Sequence, residues 1–298
     1  MSIHGVLGEI TSYPKTYQPD TLFAIERKLG RDAIGWQADK LAVGMDWWHA
    51  FEVSWLTEQG ISQVAIARFG IPARSPYIVE SKSLKLYLNS LNFTEFASWQ
   101  AVIDTITSNL SACVGAPVTV ELFELDALTQ ATDSTSGLLI SQPTGQCIDQ
   151  ALEGSGKIEL LADPDASLLQ PLSSVDLEHL KSADLVAQGG VQQQFYSNLL
   201  RSNCPVTNQP DWGTLAIDMV SEEGVDAGSL LRYILSYRQH NGFHEQCVEQ
   251  VFADLSQRFN PKKLMVRAWY TRRGGIDINP CRVSAIELLP KPSRLVRQ

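Results

Sequence analysis

The same order of predicted elements occurs twice in this chain, and this repeat constrains the fold more than any other feature. A helix-forming segment from Ser83 precedes a strand from Val118 by 35 residues, and a second helical segment from Gly228 precedes a strand from Leu264 by 36. Two strands, two helices and two strands, present twice, predict two tandem modules. Each module is expected to be an antiparallel sheet with its helices on one face, so the predicted fold class is α+β.

The individual elements are predicted from hydrophobic spacing. Apolar residues three and four positions apart between Phe96 and Leu110 predict a helix, with Thr94 as its N-cap and Gly115 as its end. Alternating apolar and polar residues predict strands at 118–123, 214–220 and 264–270. Apolar spacing also predicts helices at 83–91 and 228–238, and a longer one that begins at about His244 and ends at Pro261.

Two regions show little periodicity. Residues 1–43 are rich in turn formers, which predicts an extended N-terminal arm. A long connection between the modules is expected to contain only short strands, for example at 157–162. The predicted domain organisation is an N-terminal module at 1–135, a connecting segment at 136–185 and a C-terminal module at 186–298.

Composition limits the class of protein. The chain has 298 residues, of which 44% are hydrophobic and 19% charged, as in soluble globular proteins. Its net charge of −9 would repel a nucleic-acid backbone, so a small-molecule partner fits better and no direct nucleic-acid binding is expected. No apolar run reaches the roughly 20 residues of a membrane span, and no signal peptide is recognised, so a cytoplasmic location is expected. Five cysteines at irregular spacing predict free thiols.

The segment RSNCPVTNQPDWG (201–213) offers one thiol and one carboxylate among residues that disfavour helix and inner strand. The turn formers are Pro205, Asn208, Pro210 and Gly213. The segment is therefore predicted to be a loop, with Cys204 as a candidate nucleophile. Asp211 has apolar neighbours, which would raise its pKa and keep a proton available for donation. The alternatives are an inert buried cysteine and a solvated turn aspartate.

Three other short segments place polar residues where elements begin or end. VESKS (79–83) and HNGFHEQC (240–247) lie at predicted helix starts, where backbone amides favour an anion. RRGG (272–275) sets two arginines beside two glycines and could hold a phosphorylated cofactor. Taken singly, each is also explained as a helix cap or a surface charge. No G-x-G-x-x-G follows a strand and no G-x-x-x-x-G-K-[ST] is present, so neither a Rossmann nor a P-loop site is indicated.

Together, VESKSLKLYLNS, RSNCPVTNQPDWG, SYRQHNGFHEQC and YTRRGGIDINP resemble the signature segments of the NADPH-dependent 7-cyano-7-deazaguanine reductases, the nitrile reductases of queuosine biosynthesis. The resemblance extends to LGEITSYPKTYQPDTLF, SWLTEQG and GQCID, so it covers nearly the whole chain. It implies the two-module subfamily and the tunnelling fold, in which ββααββ modules surround a barrel and bind purine-like rings at module interfaces. It also implies a homodimer.

The resemblance implies a role for each matching residue. Cys204 would add to the nitrile carbon and form a thioimidate, Asp211 would donate a proton to the nitrogen, and His244 would act with them. Recognition of the deazapurine is implied for Val79, Glu80, Ser81, His244 and Glu245. Stacking of Phe243 on the ring is an added hypothesis. NADPH binding is implied for Ser81, Lys82, Arg273 and Gly274, and no metal is expected.

Two other functions remain open from the residues alone. Cys204, His244 and Cys247 could supply the ligands of a zinc hydrolase of the GTP cyclohydrolase type. A purine- or pterin-binding module without catalytic activity would bind the ring but form no covalent adduct. If Cys247 lies near Cys204, a reversible protective disulfide between them is a further expectation.

Overall fold

Two long hairpins, one in each half of the chain, organise the sheet of this protein. The computed structural model describes residues 13–130, 138, 140–182, 186–187 and 190–298. The strands within these ranges are β1 (Ala24–Glu26), β2 (Gly44–Thr57), β3 (Ser62–Pro72), β4 (Tyr77–Val79), β5 (Glu95–Phe96), β6 (Thr119–Phe123), β7 (Ile140–Ser141), β8 (Gln146–Cys147), β9 (Val186–Ala187), β10 (Gly190–Asn203), β11 (Pro210–Ser221), β12 (Lys263–Tyr270), β13 (Ile276–Val283) and β14 (Arg294–Leu295). The helices there are α1 (Arg27–Ile34), α2 (Ala38–Leu41), α3 (Ser81–Ser90), α4 (Trp99–Val114), α5 (Leu125–Gln130), α6 (Ser174–Ser182), α7 (Ala227–Ser236) and α8 (His244–Phe259). None of these helices is both long enough and apolar enough to cross a membrane.

A single sheet runs through both halves of the chain. Its neighbouring strands follow the order β6-β3-β2-β13-β12-β11-β10-β8. The seam between the halves is the antiparallel pair of β2 and β13, in which Trp48 lies opposite Ile278. The long strands all pair antiparallel with their long neighbours. The predicted α+β class is therefore confirmed.

The helices pack on one face of this sheet and divide the core in two. Trp48 of β2 points into a core that includes residues of α3 and α4. Ala268 and Tyr270 of β12 point into a second core with α7 and α8. Between them, Trp269 faces the opposite side, where its Nε1 donates to the Ser293 carbonyl oxygen at 3.1 Å. This alternation along the strand confirms the prediction of helices on one face.

The helices α3 and α7 begin in the same way, which supports the tandem repeat. The Glu80 carboxylate accepts from the Ser83 backbone N–H at 2.7 Å, and the Asp226 carboxylate accepts from the Ser229 backbone N–H at 2.7 Å. In both helices the serine hydroxyl donates back to the capping residue's carbonyl oxygen, at 2.6 Å and 2.8 Å. Each helix thus has an acidic N-cap and a serine three residues later.

A strap of chain crosses each of these two helix starts. The Phe23 backbone N–H donates to the Ser83 hydroxyl at 3.0 Å, and the Gln170 backbone N–H donates to the Ser229 hydroxyl at 3.1 Å. The second strap lies within the predicted connecting segment, 136–185, and is held against the second module. The boundaries predicted for the two modules and their connection remain a prediction.

The prediction of an extended arm over residues 1–43 is wrong for its described part. Residues 13–43 contain β1, α1 and α2, while residues 1–12 lie outside the described ranges. The inward side of α1 is charged: Arg27 pairs with Asp46 at 2.6 Å and Arg31 with Glu249 at 2.7 Å. Arg27 is buried while the apolar Leu29 is 50% exposed, so the search for a buried apolar face that found the other helices could not indicate α1.

Two local predictions are also wrong. Thr94 does not cap a helix, because β5 pairs beside β2 and α4 begins only after Ser98, whose hydroxyl accepts from the Ala101 backbone N–H at 3.1 Å. Gly115 does end α4, in a left-handed conformation with φ of 70°. Residues 157–162 form no strand. Local alternation is not sufficient for a strand, because tertiary context decides whether such a segment pairs.

Candidate active site at the seam of the two modules

A cavity opens where α3 and α8 begin, beside the β2 and β13 seam. It contains about 890 Å³ of space, counting its open mouth. Of the residues predicted from the sequence, nine line it: Val79, Ser81, Lys82, Cys204, Asp211, Phe243, His244, Glu245 and Arg273. The first three come from the first module and the rest from the second. The structure therefore brings the separate sequence motifs together in one place.

Cys204 lies at the end of β10, which is tied to the loop before α8. The Asn203 backbone N–H donates to the His240 carbonyl oxygen at 2.8 Å, and the Gly242 backbone N–H donates to the Asn203 carbonyl oxygen at 3.1 Å. These two bonds fix the end of β10 relative to the start of α8, where His244 lies. Cys204 is 8% exposed and is the only one of the five cysteines that lines the cavity.

The segment 201–213 was predicted to be a loop, but only its middle part is one. Only residues 204–209 connect the strands, and Asp211 lies in β11, opposite Ser202 of β10. The tight connection closes through Asn208, which adopts a left-handed conformation with φ of 52°. Pro210 favours a turn locally, but in the hairpin it is the first residue of β11. A proline is tolerated at this position of a strand.

Asp211 is almost completely buried and has two cationic or protonatable partners. Arg273 Nη1 donates to Asp211 Oδ1 at 2.6 Å, and His244 Nε2 lies 3.3 Å from Asp211 Oδ2. Burial would raise the pKa of Asp211, but the hydrogen bonds and charges of His244 and Arg273 outweigh it and hold the pKa below 3.8. The prediction of a raised pKa, based on apolar neighbours in the sequence, is therefore wrong. Asp211 is a carboxylate near neutral pH.

Glu245 presents a second carboxylate to the cavity from the first turn of α8. It is 4% exposed, and burial together with the charge of Asp46 raises its pKa, while Arg27 and His244 oppose that shift. Just before it, the Phe243 backbone N–H donates to the side chain of Gln246 at 3.2 Å, which closes the helix start. A buried carboxylate at this place can accept paired hydrogen bonds from a guanidine-type ring edge.

Glu80 and Gly274 are the two predicted site residues that do not line this cavity. The Glu80 carboxylate caps α3 and is 1% exposed, with a pKa raised by burial although the bonds from Lys82 and Ser83 oppose the shift. The Glu80 carboxylate accepts hydrogen bonds from the backbone N–H groups of Lys82 and Ser83. Gly274 lies in the turn between β12 and β13, beside the cavity.

That turn and the start of α3 form a cationic side of the cavity. Gly274 and Gly275 have φ of 60° and 77°, as in a two-residue turn that favours glycine. A Cβ atom on Gly274 would lie 2.8 Å from Lys85 Nζ, so glycine leaves room for this lysine. Lys85, one turn after Lys82, was missed by the sequence analysis although it lines the cavity. Its i, i+3 spacing from Lys82 was the available signal.

These residues fit a phosphorylated cofactor. Lys82, Lys85 and Arg273 supply positive charge at this side of the cavity. NADPH is therefore compatible with the residues present on this side of the cavity.

The ligand set of the zinc alternative does not assemble. Cys247 is 1% exposed and does not line the cavity, and burial raises its pKa to about 12 although the neighbouring hydroxyl groups of Ser202 and Tyr270 oppose this. Across the described ranges, no group of three histidine, cysteine or acidic side chains is arranged to hold a metal ion. Cys247 is also a free thiol here, so its disulfide with Cys204 remains a prediction.

Fold and cavity define an α+β protein of two tandem modules with a thiol, a buried carboxylate pair and a cationic rim at their seam. A family model described as nitrile reductase, 7-cyano-7-deazaguanine-reductase N-term matches residues 13–122, and a model described as QueF-like protein matches residues 210–287. The curated NADPH-dependent 7-cyano-7-deazaguanine reductase of Psychrobacter arcticus is 65% identical over 300 residues, covering 100% of both chains. That of Acinetobacter baumannii (strain ATCC 17978) is 50% identical over 98% of both. The chain belongs to the family of NADPH-dependent 7-cyano-7-deazaguanine reductases.

Proposed function

We propose that this protein reduces the nitrile of 7-cyano-7-deazaguanine to the aminomethyl group of 7-aminomethyl-7-deazaguanine, with two NADPH, in tRNA queuosine biosynthesis. The observation that supports this most strongly is the presence of Cys204, Asp211 and His244 in one cavity with Glu245 and a cationic rim. Family membership supplies the substrate and the cofactor, which are those named for the relatives. The roles proposed for individual residues are those that the resemblance implies, and their presence in one cavity supports them.

The first step is covalent addition. The Cys204 sulfur forms a bond to the nitrile carbon, one π bond of the nitrile breaks, and the nitrogen takes up a proton to give a thioimidate. A nitrile is a poor hydride acceptor, and the thioimidate C=N is a better one, so covalent catalysis divides a hard step into easier ones. Asp211 is ionised and cannot bring a proton of its own. It instead accepts the proton of the Cys204 thiol and delivers it to the nitrogen, with His244 orienting the carboxylate.

Two reductions complete the reaction. NADPH supplies a hydride each time, and the chain's own residues hold the acceptor and manage protons. After the first reduction the carbon–sulfur bond breaks, which returns the Cys204 thiol and leaves an imine. Reduction of the imine gives the amine, so one nitrile consumes two NADPH and two protons. In this proposal Asp211 and His244, whose side chains lie 3.3 Å apart, pass protons to the nitrogen in both reductions.

Substrate and cofactor occupy different sides of the cavity in this proposal. Glu245 and His244 accept and donate hydrogen bonds at the ring edge, and Phe243 stacks on the ring. From the first module, Val79 and Ser81 contact the ring, and Glu80 between them caps α3, which begins at Ser81. The residues proposed to hold NADPH are Ser81, Lys82, Lys85, Arg273 and Gly274.

Replacing Lys85 with glutamine is expected to weaken NADPH binding by about 10- to 100-fold, because a hydrogen bond to a charged group contributes roughly 1.5 to 3 kcal/mol. Fluorescence titration of the protein with NADPH measures this directly. The matched control is Lys181→Gln in α6, an exposed lysine that is absent from the cavity lining, and its dissociation constant should be unchanged. Equal affinities for wild type and Lys85→Gln would contradict the placement of the cofactor phosphates.

Replacing Arg273 with methionine should raise the pH below which the rate of thioimidate formation falls. The carboxylate relay works only while Asp211 is ionised, and Arg273 is one of the charges that lower its pKa. Loss of Arg273 raises the pKa of Asp211. The rate of thioimidate formation therefore falls at a higher pH than in wild type when the pH is lowered from 8 towards 4. Stopped-flow absorbance with the nitrile and no NADPH measures this step, which needs no cofactor.

The control for this change is the neighbouring arginine. Arg272 stacks on Phe51 at 4.5 Å and donates to the Gln298 carbonyl oxygen at 3.2 Å, away from Asp211. Arg272→Met should therefore keep the wild-type pH profile. An identical profile for Arg273→Met would show that Arg273 does not set the ionisation of Asp211.

A homodimer in the cytoplasm, with no direct contact to nucleic acid or membrane, completes the proposal. The net charge of −9 supports the absence of nucleic-acid binding. Sedimentation at several concentrations would test the dimer.

The function is tested by supplying the nitrile and NADPH to the purified protein. Two NADPH should be oxidised for each aminomethyl product, measured by absorbance and mass spectrometry. A hydrolase would instead release a ring-opened product and lose activity with a chelator, and a binding module would take up the ring without oxidising NADPH. Either of these outcomes would overturn the proposal.

A further inference from the structure

The ring of His244 lies flat against the ring of Tyr270. Their centroids are 3.8 Å apart and their planes differ by 15°, which is a parallel stack. His244 is the first residue of α8 and Tyr270 the last residue of β12, so the contact joins the start of α8, which borders the cavity, to the end of β12. Tyr270 itself does not line the cavity. It can therefore influence the reaction only through another residue.

Hydrogen bonds do little to fix the His244 ring. Its Nε2 has one contact, at 3.3 Å, with Asp211 Oδ2. Its Nδ1 is buried and has no hydrogen-bond partner among the described residues. A ring with one long polar contact can still rotate about χ2, whose energy profile is broad. The stack with Tyr270 is the contact that restricts this rotation and keeps Nε2 directed at Asp211.

Tyr270 is well suited to act as a fixed support. It is 0% exposed, and its hydroxyl group lies among the buried side chains of Ser202 and Cys247. In β11, Gly213 pairs with Tyr270, and a Cβ atom on this glycine would lie 3.3 Å from Tyr270 Cδ1. Glycine at this position therefore leaves the space that the tyrosine ring occupies. The strand pairing holds the ring from one side and His244 covers it from the other.

We propose that Tyr270 is a positioning residue, which holds the His244 imidazole in the plane that directs Nε2 at the Asp211 carboxylate. This inference rests on the proposed function, because it assigns the His244 and Asp211 pair to thioimidate formation. The aromatic ring of Tyr270 is required and its hydroxyl group is not. Gly213 contributes by leaving the ring its place.

The test compares Tyr270→Phe, which keeps the stack, with Tyr270→Leu, which removes it. The rate of thioimidate formation is measured with the nitrile in the absence of NADPH. We expect Tyr270→Leu to be slower by about 100-fold, since misplacing a catalytic group by about 1 Å has an effect of that order. Tyr270→Phe should restore the wild-type rate. Gly213→Ala should lower the rate by a smaller factor, because the ring must shift to admit the methyl group.

A double-mutant cycle separates positioning from general destabilisation. If Tyr270 acts through His244, then Tyr270→Leu should cause no further loss in a His244→Ala background. Equal fold-losses in both backgrounds would overturn the proposal. Tyr233→Leu is the matched control, because Tyr233 is equally buried in α7 but lies outside the cavity lining. It should lower stability and leave the rate of the folded protein unchanged.

The two hypotheses fail in different ways. If wild type forms no adduct with the nitrile, the proposed function itself is wrong. If wild type forms the adduct and Tyr270→Leu forms it equally fast, the function stands and the positioning role of Tyr270 is excluded.

Discussion

Replacing Cys204 with alanine is expected to lower nitrile reduction by on the order of 10⁴-fold or more, the scale seen when a covalent nucleophile is removed. Without the sulfur, hydride would have to attack the nitrile itself, which is a poor acceptor. No second thiol can substitute, because none of the other four cysteines lines the cavity. The measurement is formation of the aminomethyl product together with NADPH oxidation at saturating nitrile.

The matched control for this variant is Cys113→Ala. Cys113 lies in α4 and packs against the core of the first module, away from the cavity. Its loss removes a thiol of the same size while leaving the proposed nucleophile in place, so turnover should be unaffected. Turnover by Cys204→Ala at a rate near that of wild type would remove the basis of the covalent mechanism.

Replacing Arg282 with methionine is expected to destabilise the protein by roughly 3 to 5 kcal/mol, because each of two buried carboxylates then keeps only one of its two arginine partners. Arg282 Nη1 donates to Asp46 at 2.6 Å and Nη2 donates to Glu249 at 2.8 Å, and all three side chains are at most 2% exposed. These residues join β2, β13 and α8. Urea unfolding at pH 7 would measure the loss.

The loss should depend on pH in a defined direction. Burial would raise the pKa of Asp46, but the charges and hydrogen bonds of Arg282 and Arg27 outweigh it and lower the pKa below 3.8. A carboxyl group with a depressed folded-state pKa contributes stability above its unfolded pKa and loses it as the pH falls through the folded value. The difference between wild type and Arg282→Met should therefore be largest near neutral pH and shrink below about pH 4.

An exposed ion pair serves as the control for this change. Lys28 and Asp32 on α1 are 75% and 60% exposed. Lys28→Met should cost less than about 0.5 kcal/mol, because exposed helical pairs contribute little. If both replacements shift the urea midpoint equally, the buried cluster does not hold the seam together.

The elements that bury apolar side chains were predictable from the sequence. The helices α3, α7 and α8 and the strands β6 and β12 agree with the spacing of their core residues, since a packed face needs that period. Nine predicted site residues line one cavity, as the resemblance implies. They meet there because tandem modules place their helix starts at a common seam. The helices and strands that hydrophobic spacing indicates, and the site residues that the resemblance indicates, were therefore predictable from the sequence.

Features that depend on long-range partners could not be predicted. The pKa of Asp211 is set by Arg273, which lies 62 residues away in sequence, and this partner reverses the shift expected from apolar neighbours. The helix α1 was missed because charged pairs replace its apolar face. The contact of His244 with Tyr270 also requires that β12 and α8 first pack together. Each of these depends on register and packing, which local propensity does not encode.

Whole-protein mass spectrometry with the nitrile alone tests the central claim most directly. Without cofactor the reaction should stop at the covalent intermediate, and wild type should gain the full mass of one nitrile molecule, because the addition has no leaving group. Cys204→Ala should keep its original mass. An unchanged wild-type mass, or an equal gain in the alanine variant, would contradict the assignment of Cys204 as the nucleophile.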